Sequence, residues 1–277
     1  AAIRETGHAP TAVRLSELCI GNPLGGGHYS RVFAADHLSE NRAVAVKQYR
    51  APYTTRFAAA FLREAALGEW VNQIAHANLI HTHGVVHQLG QPTASLVMQR
   101  CECSVFHALT TSLSFDRSFD RRKVLLEVAD ALRALHAYGI AHGDIKSTNV
   151  LLTLREGTFA AVVADLGNAR LTSDDAPMRD GTGDRGSLWT APEARARARK
   201  GNRSGDVWAL AIFGLELWAF DAVHTDAVPA VQDDPEAMAA ADDFRDIIAS
   251  VAELCEPWAE EFCVRTLAAE AARLSME

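Results

Sequence analysis

Cysteine is scarce in this chain, and its few copies are poorly spaced for cross-linking or for holding a metal. The five residues, Cys19, Cys101, Cys103, Cys255 and Cys263, are an odd number, and no two form a Cys-x-x-Cys pair. Neither a disulfide framework nor a zinc site is expected, and reduced thiols in the cytoplasm are. Basic charge is also short. Lys and Arg total 27 against 35 Asp and Glu, a net charge of −8, so a general nucleic-acid or membrane-surface binder, which needs a basic footprint, is excluded. Long apolar runs are missing as well. The most apolar stretch, Val207 to Phe220, is 14 residues long and carries Glu216. It is too short to cross a bilayer and is expected to be a core helix. The opening residues, AAIRETGHAPTAVRL, hold no apolar core of the signal-peptide kind. No repeat or low-complexity tract occurs. What remains is 277 residues, 48% hydrophobic and 22% charged, the mix of a folded chain that buries a substantial core as one large domain or two packed lobes.

Periodicity divides the chain. The segments LCIGNPL, SRVFAADH and RAVAVKQY alternate or carry β-branched residues, with turn residues between them. A helix is expected over FAAAFLREAALGEWVNQIA, and two more strands over NLIHTHGVVHQ and ASLVMQRC. Beyond Arg100, RRKVLLEVADALRALHAYG sets Val124, Leu125, Val128, Leu132 and Leu135 on one helical face, with Gly139 as a stop. Helical patterns dominate from Val207 onward. A β-rich first part followed by a helical second part predicts two lobes with a ligand cleft between them. The polar stretch from Thr172 to Asp184 is expected to be an exposed loop.

Chemistry-bearing residues fall in a fixed order. Leu24-Gly25-Gly26-Gly27-His28-Tyr29-Ser30-Arg31-Val32 sits between two strand patterns. Its glycines suit a hairpin whose backbone approaches phosphates closely. Lys47 ends the apolar run Val44-Ala45-Val46. A buried ammonium needs a partner, which a phosphate and a carboxylate would supply; Glu64 is the first candidate and Glu69 the reserve. In His142-Gly143-Asp144-Ile145-Lys146-Ser147-Thr148-Asn149, a carboxylate, a cation and an amide crowd one turn before an apolar strand. Phosphoryl transfer needs such a set: a carboxylate for the attacking hydroxyl, a cation for the phosphoryl group and an oxygen ligand for magnesium. Asp165-Leu166-Gly167 closes another apolar strand. Ala191-Pro192-Glu193 and Asp206-Val207-Trp208 follow.

Taken together and in this order, these motifs resemble those of eukaryotic-type protein kinases, over roughly residues 18 to 277. The resemblance implies an α+β, two-lobed protein kinase fold. Residues 1–100 would form a small β-rich N-lobe with one key helix, and residues 101–277 a larger, mainly helical C-lobe. It implies ATP and Mg2+ as cofactors. Leu24, Gly25, Gly26, Gly27 and Ser30 match the glycine-rich loop. Val32 and Ala45 match the residues above adenine and Leu151 the one below. Met98 matches the gatekeeper, with Gln99 to Cys101 as the hinge. Lys47 and Glu64 match the lysine and its helix partner. Asp144 matches the catalytic base, with Lys146 beside it, and Asn149 and Asp165 match the magnesium ligands. Glu193 matches the acid that pairs with a late arginine, here Arg273. Asp206 matches the acid that braces the catalytic loop. Within the family the chain looks like the tyrosine-kinase-like group, distantly like type II activin/TGF-β receptor Ser/Thr kinases. That implies a protein substrate, a regulatory or receptor-complex partner, no nucleic acid and no membrane insertion. The setting would be the cytoplasm or the intracellular part of a receptor.

Several residues depart from the family pattern. Ser30 replaces the third loop glycine, and Leu166 replaces a phenylalanine. Lys146 is the Ser/Thr-kinase residue, whereas Trp189-Thr190-Ala191-Pro192-Glu193 resembles the tyrosine-kinase substrate loop, and Gly186 stands where Ser/Thr kinases carry Thr. A protein Ser/Thr kinase is the first reading. A pseudokinase or nucleotide-binding scaffold, a dual-specificity or tyrosine kinase, and a small-molecule kinase are the alternatives. The histidines at 81, 83 and 87 and the basic run from Arg195 to Arg203 are expected to be ordinary strand and solvated features.

Gly143 replaces the arginine that in this family pairs with a phosphorylated loop. A phosphate on Thr172, Ser173, Thr182 or Ser187 would lack that fork and would be repelled by Asp174, Asp175, Asp180 and Asp184. Peptide phosphorylation is therefore expected to survive complete phosphatase treatment. A drop of tenfold or more, about 1.4 kcal/mol in the barrier, restored by rephosphorylating this loop, would overturn that expectation.

Overall fold

The computed structural model describes residues 10–27, 30–49, 55–87, 94–111, 118–172, 188–191, 202–227 and 261–262. It divides into two compact units, one of residues 1–102 with 164–167 and one of residues 103–163 with 168–277.

The first unit is built on five antiparallel strands: β1 (Leu18–Gly26), β2 (Ser30–His37), β3 (Arg42–Tyr49), β4 (Thr82–His87) and β5 (Ala94–Gln99), in the order β1-β2-β3-β5-β4. The helix α1 (Thr55–Ile74) runs between β3 and β4 in sequence. β3 is the central strand, so its run Val44 to Lys47 is buried on both faces. Side chains alternate along it. Val44 and Val46 join Leu18, Ala35, Val86 and Val97 on one side. Tyr49 lies on the other with Phe61 and Ala65 of α1, and with Ala94 and Leu96. Lys47, two residues from Tyr49, shares that helix-facing side.

Helix α1 is fixed to β4 at two points. The Asn72 side chain donates to the Thr82 carbonyl at 2.7 Å and accepts from the Thr82 amide at 2.9 Å, taking the place of a neighbouring strand. One turn earlier, Gly68 packs so closely that an added Cβ would lie 2.4 Å from Thr82 Oγ1. The segment before β1 also docks on β4, in a parallel bridge between Ala12 and Val85. Val13 donates to the Val85 carbonyl at 2.8 Å, and Val85 to the Thr11 carbonyl at 2.7 Å. The Thr11 amide reaches Glu69 of α1 at 2.8 Å. Sequence periodicity carries no sign of this strap.

The second unit starts with β6 (Cys103–Ser104) and the short α2 (Val105–Leu109), then α3 (Arg121–Ala137), β7 (Ile140–Ala141), β8 (Val150–Arg155), β9 (Thr158–Val163), β10 (Arg170–Leu171) and α4 (Arg203–Ala222). Asp120 caps α3 by accepting from the Lys123 amide at 3.1 Å. Gly139, at φ +71°, ends it and donates to the His136 carbonyl. The apolar stripe Val124, Leu125, Val128, Leu132 and Leu135 is buried as its spacing predicts. β8 and β9 form a hairpin over Glu156 and Gly157, both at positive φ, the two-residue turn that matches strand twist.

The apolar run around Glu216 is longer in the structure than its sequence indicated. α4 spans 20 residues, and with the turn after it, Val223–Ala227, the stretch Arg203–Thr225 is long and apolar enough to cross a membrane. Length therefore does not exclude a span, as the sequence reading had it. Burial decides instead: 67% of its apolar window is buried inside the protein, as in a core helix.

Gly84 is the constrained point of the strap. Its φ is +149°, and an added Cβ would stand 2.4 Å from the Thr11 carbonyl oxygen. Gly84→Ala is expected to cost about 1–3 kcal/mol by straining β4 and displacing residues 11–13. Denaturant unfolding measures this, and an unchanged midpoint would show that the strap contributes nothing.

Candidate active site

In the first unit, the alternation of β3 aims Lys47 at α1, where Glu64 is one turn from Phe61. The Lys47 ammonium donates to Glu64 Oε1 at 2.7 Å and to Asp165 Oδ1 at 2.8 Å. Lys47 and Glu64 are buried, while the Asp165 side chain is 42% exposed. Burial alone would push the ammonium down, but the Glu64 and Asp165 carboxylates outweigh it and hold its pKa above the ordinary lysine value. Burial pushes the Glu64 carboxyl up, against the pull of Lys47. The Tyr49 hydroxyl donates to Glu64 Oε2, and its ring lies 5.4 Å from the Lys47 ammonium. Asp165 sits at φ +65°, a conformation that costs a non-glycine residue energy and that concentrates at functional sites. Glu69, the reserve partner for Lys47, is bound to the Thr11 amide instead.

The other residues expected to bind nucleotide in this unit lie on the same sheet. Gly25 pairs with Val32, Val32 with Lys47, and Ala45 with Met98. The Gln99 amide donates to the His81 carbonyl at 2.8 Å, and Cys101 follows it, half-buried. Leu24 is exposed. The Gly27 amide donates to the Ser30 carbonyl at 3.0 Å, narrowing the hairpin; His28 and Tyr29 at its tip lie outside the described residues. An added Cβ at Gly25 or Gly27 would meet nothing within 4 Å, whereas at Gly26 it would stand 2.8 Å from the Ser30 carbonyl oxygen. Packing within the chain thus accounts for Gly26 alone.

In the second unit, the loop between β7 and β8 gathers around Asp144. Lys146 Nζ approaches Asp144 Oδ1 and Oδ2 at 3.1 and 3.0 Å. Asn149 Nδ2 donates to the Asp144 carbonyl at 2.8 Å and to Oδ2 at 2.9 Å, leaving Asn149 Oδ1 as the oxygen directed away. Asn168 Nδ2 adds a third donor at 3.3 Å. The loop is held from below by Asp206 on α4, which is 1% exposed. Asp206 accepts from the amides of His142 and Gly143, each at 2.7 Å, and from His136 Nε2 at 2.8 Å. Ile145 is fully buried and pins the middle of the loop. Leu151, next to the loop on β8, pairs with Ser104 and Val162.

The family model described as "Protein kinase domain" matches residues 19–275. The chain belongs to the protein kinase family. Its two-lobed α+β fold class follows. Among curated relatives it is 27% identical over 223 residues to dual specificity testis-specific protein kinase 1 of Rattus norvegicus, covering 79% of this chain and 34% of that protein. It is 32% identical over 185 residues to ephrin type-A receptor 8 of Rattus norvegicus, covering 63% of this chain and 45% of that protein. It is 27% identical over 199 residues to a protein named as a probable serine/threonine-protein kinase in Corynebacterium glutamicum, covering 70% and 30%. The kinase domain thus spans between about a third and a half of the length of these relatives.

Pro192, Glu193 and Arg273, the loop over 173–187 and the basic run over 195–200 lie outside the described residues. Two residues of the site were missed in the sequence. Tyr49 had a signal, since two residues beyond Lys47 on a strand means the same face. Asn168 had none, because nothing in its spacing from Asp165 tells that its amide turns to Asp144.

Tyr49→Phe keeps the ring contact with Phe61, whose centroid is 5.3 Å away, and removes one donor from a buried carboxylate. A loss of about 1–3 kcal/mol is expected, measured by denaturant unfolding. Wild-type stability would show that the hydroxyl does not support Glu64.

Proposed function

We propose that this kinase domain transfers the γ-phosphoryl group of ATP to serine or threonine hydroxyls of protein substrates. The observation that carries the proposal is the Asp144 cluster, a carboxylate held by Asn149 and Asn168 with the Lys146 ammonium against both its oxygens. Asp144 orients the acceptor hydroxyl and takes its proton, while Lys146 balances charge on the phosphoryl group in flight. Lys47, kept cationic and fixed by Glu64, is a preformed site for the nucleotide phosphates. The open space over Gly25 and Gly27 leaves room for those phosphates to meet backbone amides. Val32, Ala45 and Leu151 supply apolar contact to the base, Met98 limits its depth, and Gln99 to Cys101 offer backbone hydrogen bonds. Leu24 and Ser30 complete the hairpin.

Asn149 and Asp165 would hold magnesium. Each, within its own unit, has the chemistry for it: Asn149 keeps a carbonyl oxygen directed away from Asp144, and Asp165 is a half-exposed carboxylate, both hard oxygen donors. Bound there, the ion would neutralise charge on the phosphates. We read residues 1–100 as the nucleotide-binding lobe and residues 101–277 as the lobe that presents the base. Trp189 to Glu193 serve as the platform for the protein substrate. A cytoplasmic setting suits the use of ATP.

Specificity for serine and threonine rests on Lys146. Dual specificity is the second reading, favoured by the likeness of residues 189–193 to the tyrosine-kinase loop and by relatives named as dual-specificity kinases at 27–28% identity. Incubation with labelled ATP, magnesium and generic proteins, followed by phosphoamino-acid analysis, decides between them. Phosphoserine and phosphothreonine are expected, and dominant phosphotyrosine would overturn the first reading. Lys47→Met is expected to lower transfer at least about 100-fold with the fold intact. Asp144→Asn should do the same while ATP·Mg2+ still raises the melting temperature. Wild-type turnover in either variant sinks the assignment.

A further inference from the structure

A glutamate held by one cation is paired but not oriented. The last torsion of its side chain is broad, so a single ion pair leaves the carboxylate free to turn and to exchange its two oxygens. Glu64 is buried and holds the Lys47 ammonium through Oε1 at 2.7 Å. Among the described residues, Tyr49 is the donor at its other oxygen, Oε2. Gly167 crowds the same oxygen: an added Cβ there would stand 3.2 Å from it. Donors on two different oxygens fix the plane of the carboxylate as one donor does not. Tyr49 is itself firmly placed. It is buried, it pairs with Ser30 across β2 and β3, and its ring meets Phe61 of α1 edge-on, at 5.3 Å and 74°. Phe61 precedes Glu64 by three residues, so the two share a face of α1. Tyr49 therefore holds the helix at two points, its ring on Phe61 and its hydroxyl on Glu64. A phenylalanine would fill the same place in this apolar cluster. The hydroxyl needs a partner when buried, and its partner is the acid that holds Lys47. All these residues belong to the first unit.

We propose that Tyr49 is a positioning residue for ATP: its hydroxyl fixes the Glu64 carboxylate so that Oε1 keeps the Lys47 ammonium where the nucleotide phosphates bind. The inference rests on the kinase reading above, which brings those phosphates to Lys47. Asp165 also holds the ammonium, at 2.8 Å, but its side chain is 42% exposed and it is the acid that reading gives to magnesium. Glu64 is the anchor that stays with Lys47, and its orientation sets where the charge sits. The base and the ribose do not meet Lys47 in that reading. Loss of the hydroxyl thus weakens binding through the phosphates and spares binding through the base.

The test measures, by titration calorimetry on the whole chain, the Kd of ATP with magnesium and the Kd of adenosine. Adenosine has no phosphates and does not use Lys47. Tyr49→Phe keeps the ring and deletes the hydroxyl. It is expected to raise the ATP Kd about tenfold or more and to leave the adenosine Kd within twofold. In a Glu64→Ala background the hydroxyl has no carboxylate to hold, and Tyr49→Phe should then change the ATP Kd less than twofold. A merely structural role moves both ligands together or neither. Either result, or an undiminished effect in Glu64→Ala, overturns the proposal. If Tyr49→Phe does not fold, Tyr49→Leu decides by the same criterion. If Glu64→Ala does not fold, the comparison of ATP with adenosine decides without it. A wild-type protein that binds no ATP refutes the kinase reading instead. The tie is then read by hydrogen exchange: the α1 amides around Glu64 should exchange at least tenfold faster in Tyr49→Phe, or in Tyr49→Leu should the former not fold. Unchanged exchange overturns the tie.

Discussion

A carboxylate taken out of water must be given donors, and in this kinase domain that requirement is answered by the segments that carry chemistry. Glu64, Asp206 and Glu216 are all buried. Glu64 collects the Lys47 ammonium and the Tyr49 hydroxyl. Asp206 collects two successive amides at the start of the catalytic loop, and Glu216 an amide and a hydroxyl at its end. None of these acids stabilises the fold simply by being charged, since desolvation offsets much of each attraction. What they impose is geometry. A loop whose amides must satisfy a buried acid has little freedom to drift, and catalysis by preorganised charge depends on that rigidity.

The two faces of β3 show how far alternation alone carries a reading of the chain. Val44 and Val46 against Ala45, Lys47 and Tyr49 follows from a period of two, and it brings Lys47 to Glu64 across 17 residues. The turn from His142 to Asn149 was equally legible, because Asp, Lys and Asn crowded into six residues serve no packing purpose. Contacts made through backbone atoms were not legible. The docking of Thr11 to Val13 on β4 uses main-chain groups that every residue possesses. The amide of Asn168 acquires its meaning only when the turn over Leu166–Asn168 folds it toward Asp144.

Glu216 illustrates a different failure. In the sequence it is the one charge in an apolar run, and so it served to argue against a membrane span. The same observation had a second use. An acid inside a helix destined for the core has to be paired, and the polar residues before and after the run, Ser147, Trp189 and His224, were the available donors. Sequence distance hid them: 69 residues separate Ser147 from Glu216 and 27 separate Trp189 from it.

Gly143 gains a second meaning from its surroundings. In the sequence it is the absence of a guanidinium. In the structure its backbone lies at φ +77°, where a side chain is disfavoured, and its amide donates to Asp206 at 2.7 Å. Any residue with a Cβ placed here would meet strain at the point where the catalytic loop is anchored. The residue that removes the phosphate-binding fork is thus also the one that lets the loop close on Asp206 without strain. The start of this loop is held by a permanent buried acid on α4. A catalytic loop anchored in that way is assembled by folding itself.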